Sequence, residues 1–168
     1  MNALYRPGPM EFIPRYIERK QGREPVTYMT DELRAELTRK YSAEVAEEEN
    51  QKLIQDLSPI MSLTYGIAIY QEQLMFLVQA MAGFSLGEAD MLRRGIGKKK
   101  KEVIEQLKKE FVQRGQTFRG YKPETTTSIY EKMIEPAASY SFNKSHSVCY
   151  AMIAYQTAYL KAHFPLEF

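Results

Sequence analysis

Apolar residues recur at the spacing of an α-helix along most of this chain, and this periodicity constrains the fold more than any other feature. Between residues 70 and 81, apolar side chains occupy positions i, i+4, i+7, i+8 and i+11, and Gly83 follows as a stop signal. A second stripe of this kind runs through residues 103–111. Since no convincing β-hairpin signal appears, the pattern predicts an all-α domain of six to eight helices.

The last predicted helix, residues 144–163, is apolar on nearly every face and is followed by Pro165. A helix without a polar face is typical of the interior of a protein. We therefore expect this helix to lie at the centre of the fold.

Residues 30–58 predict an exposed amphipathic helix or a helical hairpin, with a break at Ser42 and an end at Pro59. Two interpretations are open for this segment. It binds a protein partner, or it is a solvated helix packed along one edge.

Basic residues are concentrated in one part of a chain whose net charge is only +2. Residues 93–122 contain 11 Lys or Arg and 3 Glu, a local charge of +8, whereas the remainder carries −6. Such segregation indicates a localised site for a polyanion, although a solvated lysine-rich helix is the alternative. No apolar run is long enough for a membrane span, no signal peptide is recognisable, and the single Cys149 fits a reducing, cytoplasmic setting.

The segment from Ser85 to Lys101 combines a helix start, two glycines and a lysine run. Ser85 and Glu88 have the spacing of a capping box, and Gly95 and Gly97 are expected to end that helix. The lysines that follow open the next helix, where cations oppose the helix dipole. A bound anion, such as the phosphate of a nucleotide or nucleic acid, would remove that conflict.

A second constellation begins the last helix, with Phe142, Asn143, Lys144 and His146, and Tyr150 one turn later. The i, i+4 spacing places the three rings on one side of the helix start. Rings that stack on a base, together with cations and free N–H groups that hold phosphate, suit a nucleotide. The alternative is a capped helix with a core Phe and Tyr.

Residues for catalysis are hard to find. The three aspartates, Asp31, Asp56 and Asp90, are far apart, and no metal-binding or phosphate-loop motif is present. We therefore predict no catalytic residue and no metal site, and an inactive domain when it is alone.

Four long blocks, residues 2–25, 64–75, 82–100 and 141–168, resemble the fingers region of bacterial replicative DNA polymerase III alpha subunits, the C family of DNA polymerases. The resemblance implies that residues 1–168 are a fingers region and that residues 30–58 are a helical insertion within it. It also implies that a palm domain outside this sequence supplies the catalytic aspartates and Mg²⁺. The implied partners are a DNA primer–template, a dNTP and other replicase subunits, with no membrane.

The resemblance also implies roles for individual residues. Those implied to bind the nucleotide are Arg93, Arg94, Lys98, Phe142, Asn143, Lys144, His146 and Tyr150; those implied to face DNA phosphates are Lys99, Lys100 and Lys101. Tyr70, Gln71 and Gln73 would support the site, and Arg6 would brace the junction with the palm.

Departures from the family pattern occur at Gly95-Ile96, where Ala-Met is typical, and at Ser139 and Ser141, where glycines are usual. Glycine at 95 should loosen the turn, and serine would be strained wherever a glycine has positive φ. Two other functions are open: a free-standing helical module that binds nucleic acid, and a protein-interaction module without enzymatic role.

Overall fold

The structure is a computed structural model that describes residues 3–5, 9–97 and 101–168. Helices and their connections make up these residues, without a strand, so the all-α prediction and its count of helices are confirmed. The eight helices are α1 (Ile13–Lys20), α2 (Asp31–Lys40), α3 (Ala43–Met61), α4 (Gln71–Ala82), α5 (Leu86–Gly97), α6 (Lys101–Arg119), α7 (Pro123–Ile129 and Glu135–Tyr140, joined by a π-helical turn at Tyr130–Ile134) and α8 (Lys144–His163).

Helix α4 is the centre of the fold because it packs against α3, α5 and α6. Its apolar stripe, including Leu74, Leu77 and Met81, is completely buried. Gly83 ends the helix with φ of 66°, a left-handed conformation that glycine adopts without steric cost. The predicted core helix and its stop signal are therefore confirmed.

Helix α3 packs against α4, and α2 packs against α3 and α7; Leu37, Leu53 and Leu57 on α2 and α3 are fully buried. Ser42 separates the two helices and caps α3, since its hydroxyl accepts a 3.3 Å hydrogen bond from Val45 N. The break at Ser42 is confirmed and the segment contributes to the main core. That it is an insertion relative to the family stays a prediction.

Pro59 does not end α3, which continues to Met61, so that expectation was wrong. A proline within a helix removes one bond to the carbonyl four residues earlier, here that of Gln55. Gln55 and Pro59 are both exposed. Water can therefore satisfy the freed carbonyl, and the helix tolerates the proline in its last turns.

Buried polar contacts join α3 to the end of α6. The Asp56 carboxylate accepts hydrogen bonds from Arg119 Nε at 2.9 Å and from the Tyr121 hydroxyl at 2.8 Å. Burial, followed by the bond to Asp56, raises the pKa of Tyr121 well above its usual value, so the phenol remains a donor. Two turns earlier on α3, Glu49 accepts a 2.9 Å bond from the backbone N of Lys122. These contacts fix the loop between α6 and α7.

Gly95 does not interrupt α5, which continues to Gly97 as its last residue, so the predicted break was wrong at Gly95. A Cβ atom at Gly95 would lie 2.8 Å from Leu107 Cδ1, and the neighbouring Ile96 is fully buried. Gly95 therefore allows α5 and α6 to approach closely, while Ile96 anchors the last helical turn. Lys98, Lys99 and Lys100 lie outside the described residues.

Ser139 and Ser141 are unstrained. Ser139 lies inside the last segment of α7, and Ser141 has φ of −63° and ψ of 145°, which is ordinary extended backbone. The family's glycines at these positions are therefore not required by positive φ in this chain.

Helix α8 has the predicted bounds, but the expectation that it is central was wrong. None of its residues is buried, and Tyr155 is 70% exposed. The apolar composition of a helix indicates that its surface packs against other protein, but it does not identify which element it packs against. The described contact of α8 with α4 is at its first turn, through Glu72, and residues 148–163 are exposed.

Candidate nucleotide-binding site

Two segments that are seventy residues apart in sequence meet at the start of α8. Phe142 N donates to the Ile69 carbonyl at 2.9 Å, and Gln71 N donates to the Phe142 carbonyl at 3.0 Å, which forms a short parallel bridge. The Gln71 side chain also donates to the Ser141 carbonyl at 3.3 Å. Residues 69–72 therefore hold the segment that leads into α8.

Gln73 anchors this arrangement to the core. Its Oε1 accepts bonds from Ile69 N and Tyr70 N, both at 3.0 Å. Its Nε2 donates to the Ile60 carbonyl at 3.2 Å and to Thr64 Oγ1 at 2.6 Å. The buried amide is fully used, so Gln73 has the supporting position that the family resemblance implies.

The first turn of α8 is held by two side chains. Asn143 caps the helix, since its Oδ1 accepts a 3.1 Å bond from His146 N. Glu72, at the start of α4, accepts bonds from Lys144 N at 3.2 and 3.1 Å. The expectation that free N–H groups at this helix start hold phosphate was wrong for both N–H groups, because each is bonded within the protein.

Three rings form a column along the start of α8. The Phe142 and His146 centroids are 5.3 Å apart, and the His146 and Tyr150 centroids are 4.6 Å apart. Phe142 is buried, whereas His146 and Tyr150 are exposed, so the column runs from the core to the surface. The i, i+4 spacing of the rings in the sequence predicts this column, and exposed rings offer faces for stacking on a base.

Arg93 and Arg94 share a single carboxylate on α5. Arg93 Nη2 lies 2.7 Å from Asp90 Oδ1, and Arg94 Nε lies 2.7 Å from Asp90 Oδ2. The hydrogen bond from Arg93 is the main cause that lowers the pKa of Asp90. The three side chains together carry a net charge of +1. The pairing of Asp90 with both arginines was not predicted, although their i, i+3 and i, i+4 spacing is visible in the sequence.

Other cations of residues 93–122 are paired with carboxylates from distant parts of the chain. Lys108 Nζ lies 2.6 Å from Glu131, Arg114 Nη2 lies 2.8 Å from Glu88, and Arg119 contacts Asp56. The local charge of +8 therefore overstates the free charge on this surface. Lys101 is exposed at the start of α6.

The α5 arginines and the α8 constellation are connected through α7. The last segment of α7 packs against α5, and a Cβ at Gly97 would lie 3.8 Å from the Ala138 carbonyl. The same segment continues directly into residues 141–146. Whether the two groups line a single cleft with Lys98, Lys99 and Lys100 stays a prediction, since those lysines are outside the described residues.

The described carboxylates do not fit a magnesium site. Asp56 is bonded to Arg119 and Tyr121, and Asp90 is bonded to two arginines. Among the described residues, no group of three or more His, Cys, Asp or Glu side chains is arranged to hold a metal ion. That a palm domain supplies the ligands of Mg²⁺ stays a prediction.

The ranges 3–5, 9–97 and 101–168 contain no helix with the length and apolarity that crossing a membrane requires.

The described residues form an all-helical domain that carries an arginine pair on α5 and a ring column at the start of α8. Comparison with known proteins gives the particular family. Residues 1–119 match the family described as the bacterial DNA polymerase III alpha subunit finger domain, and the chain belongs to this family.

Relatives extend the similarity to the whole chain. DNA polymerase III subunits alpha from Halalkalibacterium halodurans and Bacillus subtilis are 49% and 45% identical to it over 168 residues, 100% of the chain. The same subunit from Thermus aquaticus is 46% identical over 99% of the chain. The chain spans only 12–13% of the length of these relatives.

Proposed function

We propose that this chain is the finger region of a DNA-directed DNA polymerase that carries out template-dependent DNA synthesis in replication. The observation that carries the proposal is the column of Phe142, His146 and Tyr150, which reaches the surface on the helix that begins at Lys144 in a chain of this family. The column offers stacking faces to the base of an incoming dNTP, and Lys144 offers charge to its phosphates.

The two arginines add a second contact to the same ligand in this proposal. Arg93 and Arg94, with Lys98, neutralise the triphosphate, while Lys99, Lys100 and Lys101 contact phosphates of the primer–template. Asn143 contributes through the helix cap that orients His146. The contribution to rate is positioning and charge neutralisation, which dominate phosphoryl transfer. Catalytic aspartates and Mg²⁺ come from the palm, so the finger region alone is inactive.

The exposed apolar surface of α8 supports a role within a larger polypeptide. Met152, Ile153 and Tyr155 are each more than half exposed. Contiguous apolar surface of this kind marks a site of contact with other protein. In this proposal the remaining parts of the polymerase contact the primer–template and the other replicase subunits, and the enzyme works in the cytoplasm.

The nucleotide part of the proposal is tested in the complete polymerase with Lys144→Ala and His146→Ala. We expect each variant to lose at least tenfold in single-nucleotide incorporation while primer–template binding is kept. Lys20→Ala is the matched control, since Lys20 is an exposed lysine at the end of α1. Unchanged incorporation in both variants refutes the nucleotide role.

The DNA part is tested by titrating primer–template at several salt concentrations. The triple variant Lys99→Ala, Lys100→Ala, Lys101→Ala should reduce the slope of log K against log[salt] by about 0.9 for each lost phosphate contact. A reduced slope with normal incorporation in the Lys144 and His146 variants indicates instead a nucleic-acid-binding module without an enzymatic role.

A further inference from the structure

Glu72 connects the central helix to the constellation at the start of α8. It lies in the first turn of α4, and its two carboxylate oxygens are 3.2 and 3.1 Å from Lys144 N. The sequence separation between the two residues is 72 positions. No pattern in the sequence indicates this contact.

The contact replaces a bond that the helix cannot make for itself. The first N–H groups of a helix have no partner within the helix, and a carboxylate at this positively polarised end is stabilising. The helix's own cap, Asn143, serves His146 N, whereas Lys144 N is served by Glu72. Two different elements therefore orient the same turn.

Glu72 acts from a rigid support. The residues that follow it, Gln73 and Leu74, are buried, and Gln73 is bonded to residues 60, 64, 69 and 70. The neighbouring Gln71 is bonded to Ser141 and Phe142. The direction of the first turn of α8, and with it the direction of the Lys144 and His146 side chains, is thus set by α4.

We propose that Glu72 is a positioning residue that orients Lys144 and His146 toward the nucleotide; this inference rests on the function proposed above. Its essential property is a hydrogen-bond acceptor at Lys144 N. The negative charge is not required and is unfavourable beside a triphosphate. Because Glu72 occupies Lys144 N, the nucleotide is held by the side chains of α8 and not by this backbone group.

The test compares Glu72→Ala and Glu72→Gln in the complete polymerase, with Glu36→Ala as an exposed control on α2. Steady-state incorporation of a single dNTP gives KM and kcat, and thermal unfolding is measured in parallel. Loss of a helix cap of typical strength predicts a KM for dNTP about fivefold higher in Glu72→Ala. Glu72→Gln keeps an acceptor oxygen, so its KM should be no higher than that of the wild type.

Three results overturn the inference. The first is an unchanged KM and an unchanged melting temperature in Glu72→Ala. The second is an equal rise in KM in both Glu72 variants. The third is a lower melting temperature and kcat in Glu72→Ala with KM unaltered, which is a purely structural effect. Lys144→Ala and His146→Ala, measured in the same assay, separate the two proposals. If the Lys144 and His146 variants lose incorporation and Glu72→Ala does not, only the positioning role of Glu72 fails. If the Lys144 and His146 variants incorporate the nucleotide as the wild type does, the proposed nucleotide site itself fails.

Discussion

Replacing Gln73 by Met tests whether this buried amide holds the start of α4 and the segment before α8 together. The two side chains are similar in length and flexibility, so Met fills the same space but makes no comparable hydrogen bonds. The substitution leaves Ile69 N and Tyr70 N without their acceptor and Ile60 O and Thr64 Oγ1 without a donor.

The expected loss follows from the number of buried groups left unpaired. A buried donor without a partner costs about 1–3 kcal/mol, and the two backbone N–H groups are the most affected. We therefore expect the free energy of unfolding to fall by about 2–5 kcal/mol. Since the stability of a domain is typically about 5–15 kcal/mol, this is a large fraction of the total.

The assay is equilibrium urea unfolding followed by circular dichroism and by tyrosine fluorescence, since the chain has 12 Tyr and no Trp. Gln79→Met is the matched control: Gln79 is half-buried on the same helix. We expect its substitution to change the unfolding free energy by less than about 0.5 kcal/mol. If Gln73→Met loses less than 1 kcal/mol (on the order of one ordinary hydrogen bond), or no more than Gln79→Met, the reasoning is refuted.

Three further predictions concern stability. Asp56→Ala should lower the unfolding free energy by about 2–4 kcal/mol, because it leaves Arg119 and the buried Tyr121 hydroxyl without their acceptor. Adding Tyr121→Phe to this variant removes the unpaired hydroxyl and should restore part of the lost stability. If the double variant is no more stable than Asp56→Ala, this cause is wrong. Thr125→Val should raise the melting temperature, by a stabilisation of about 1 kcal/mol, because the buried Thr125 hydroxyl has no partner among the described residues; a lower melting temperature would contradict this. The bond from Arg114, then those from Ser85, lower the pKa of Glu88 to about 2. The Glu88 carboxylate therefore contributes its full stabilisation above a pH of about 4.5, and this stabilisation is lost as the pH falls through about 2. In urea titrations, the difference in unfolding free energy between wild type and Glu88→Gln should shrink over that pH range. A difference independent of pH would exclude this linkage.

Local features of the helices were predictable because their physical cause lies within a few residues. The Ser85–Glu88 capping box is present, with Ser85 N donating to Glu88 at 2.8 Å and Glu88 N donating to Ser85 at 3.3 Å. Ser42 caps α3 and Gly83 ends α4, as the sequence indicates. The errors at Pro59 and Gly95 arose where packing or solvent overrides a local preference for breaking a helix.

The ring column of the candidate site was also predictable, because its cause lies within a few residues of sequence. The spacing of Phe142, His146 and Tyr150 defines their column, since four residues are one helical turn. Glu72 was not predictable, because its contact with Lys144 depends on how α4 and α8 meet. The pairing of Lys108 with Glu131, which reduces the free charge of the basic segment, also joins different helices.

The sequence by itself determined the helical class, most helix ends, the ring column and the family, because these depend on short spacings and on blocks of residues. Only the tertiary structure decided that Lys108, Arg114 and Arg119 are neutralised, that Glu72 holds the start of α8, and that α8 lies exposed. The physical reason is that these contacts join residues 23 to 72 positions apart, and a linear pattern of residue types does not contain the arrangement of the surfaces that meet.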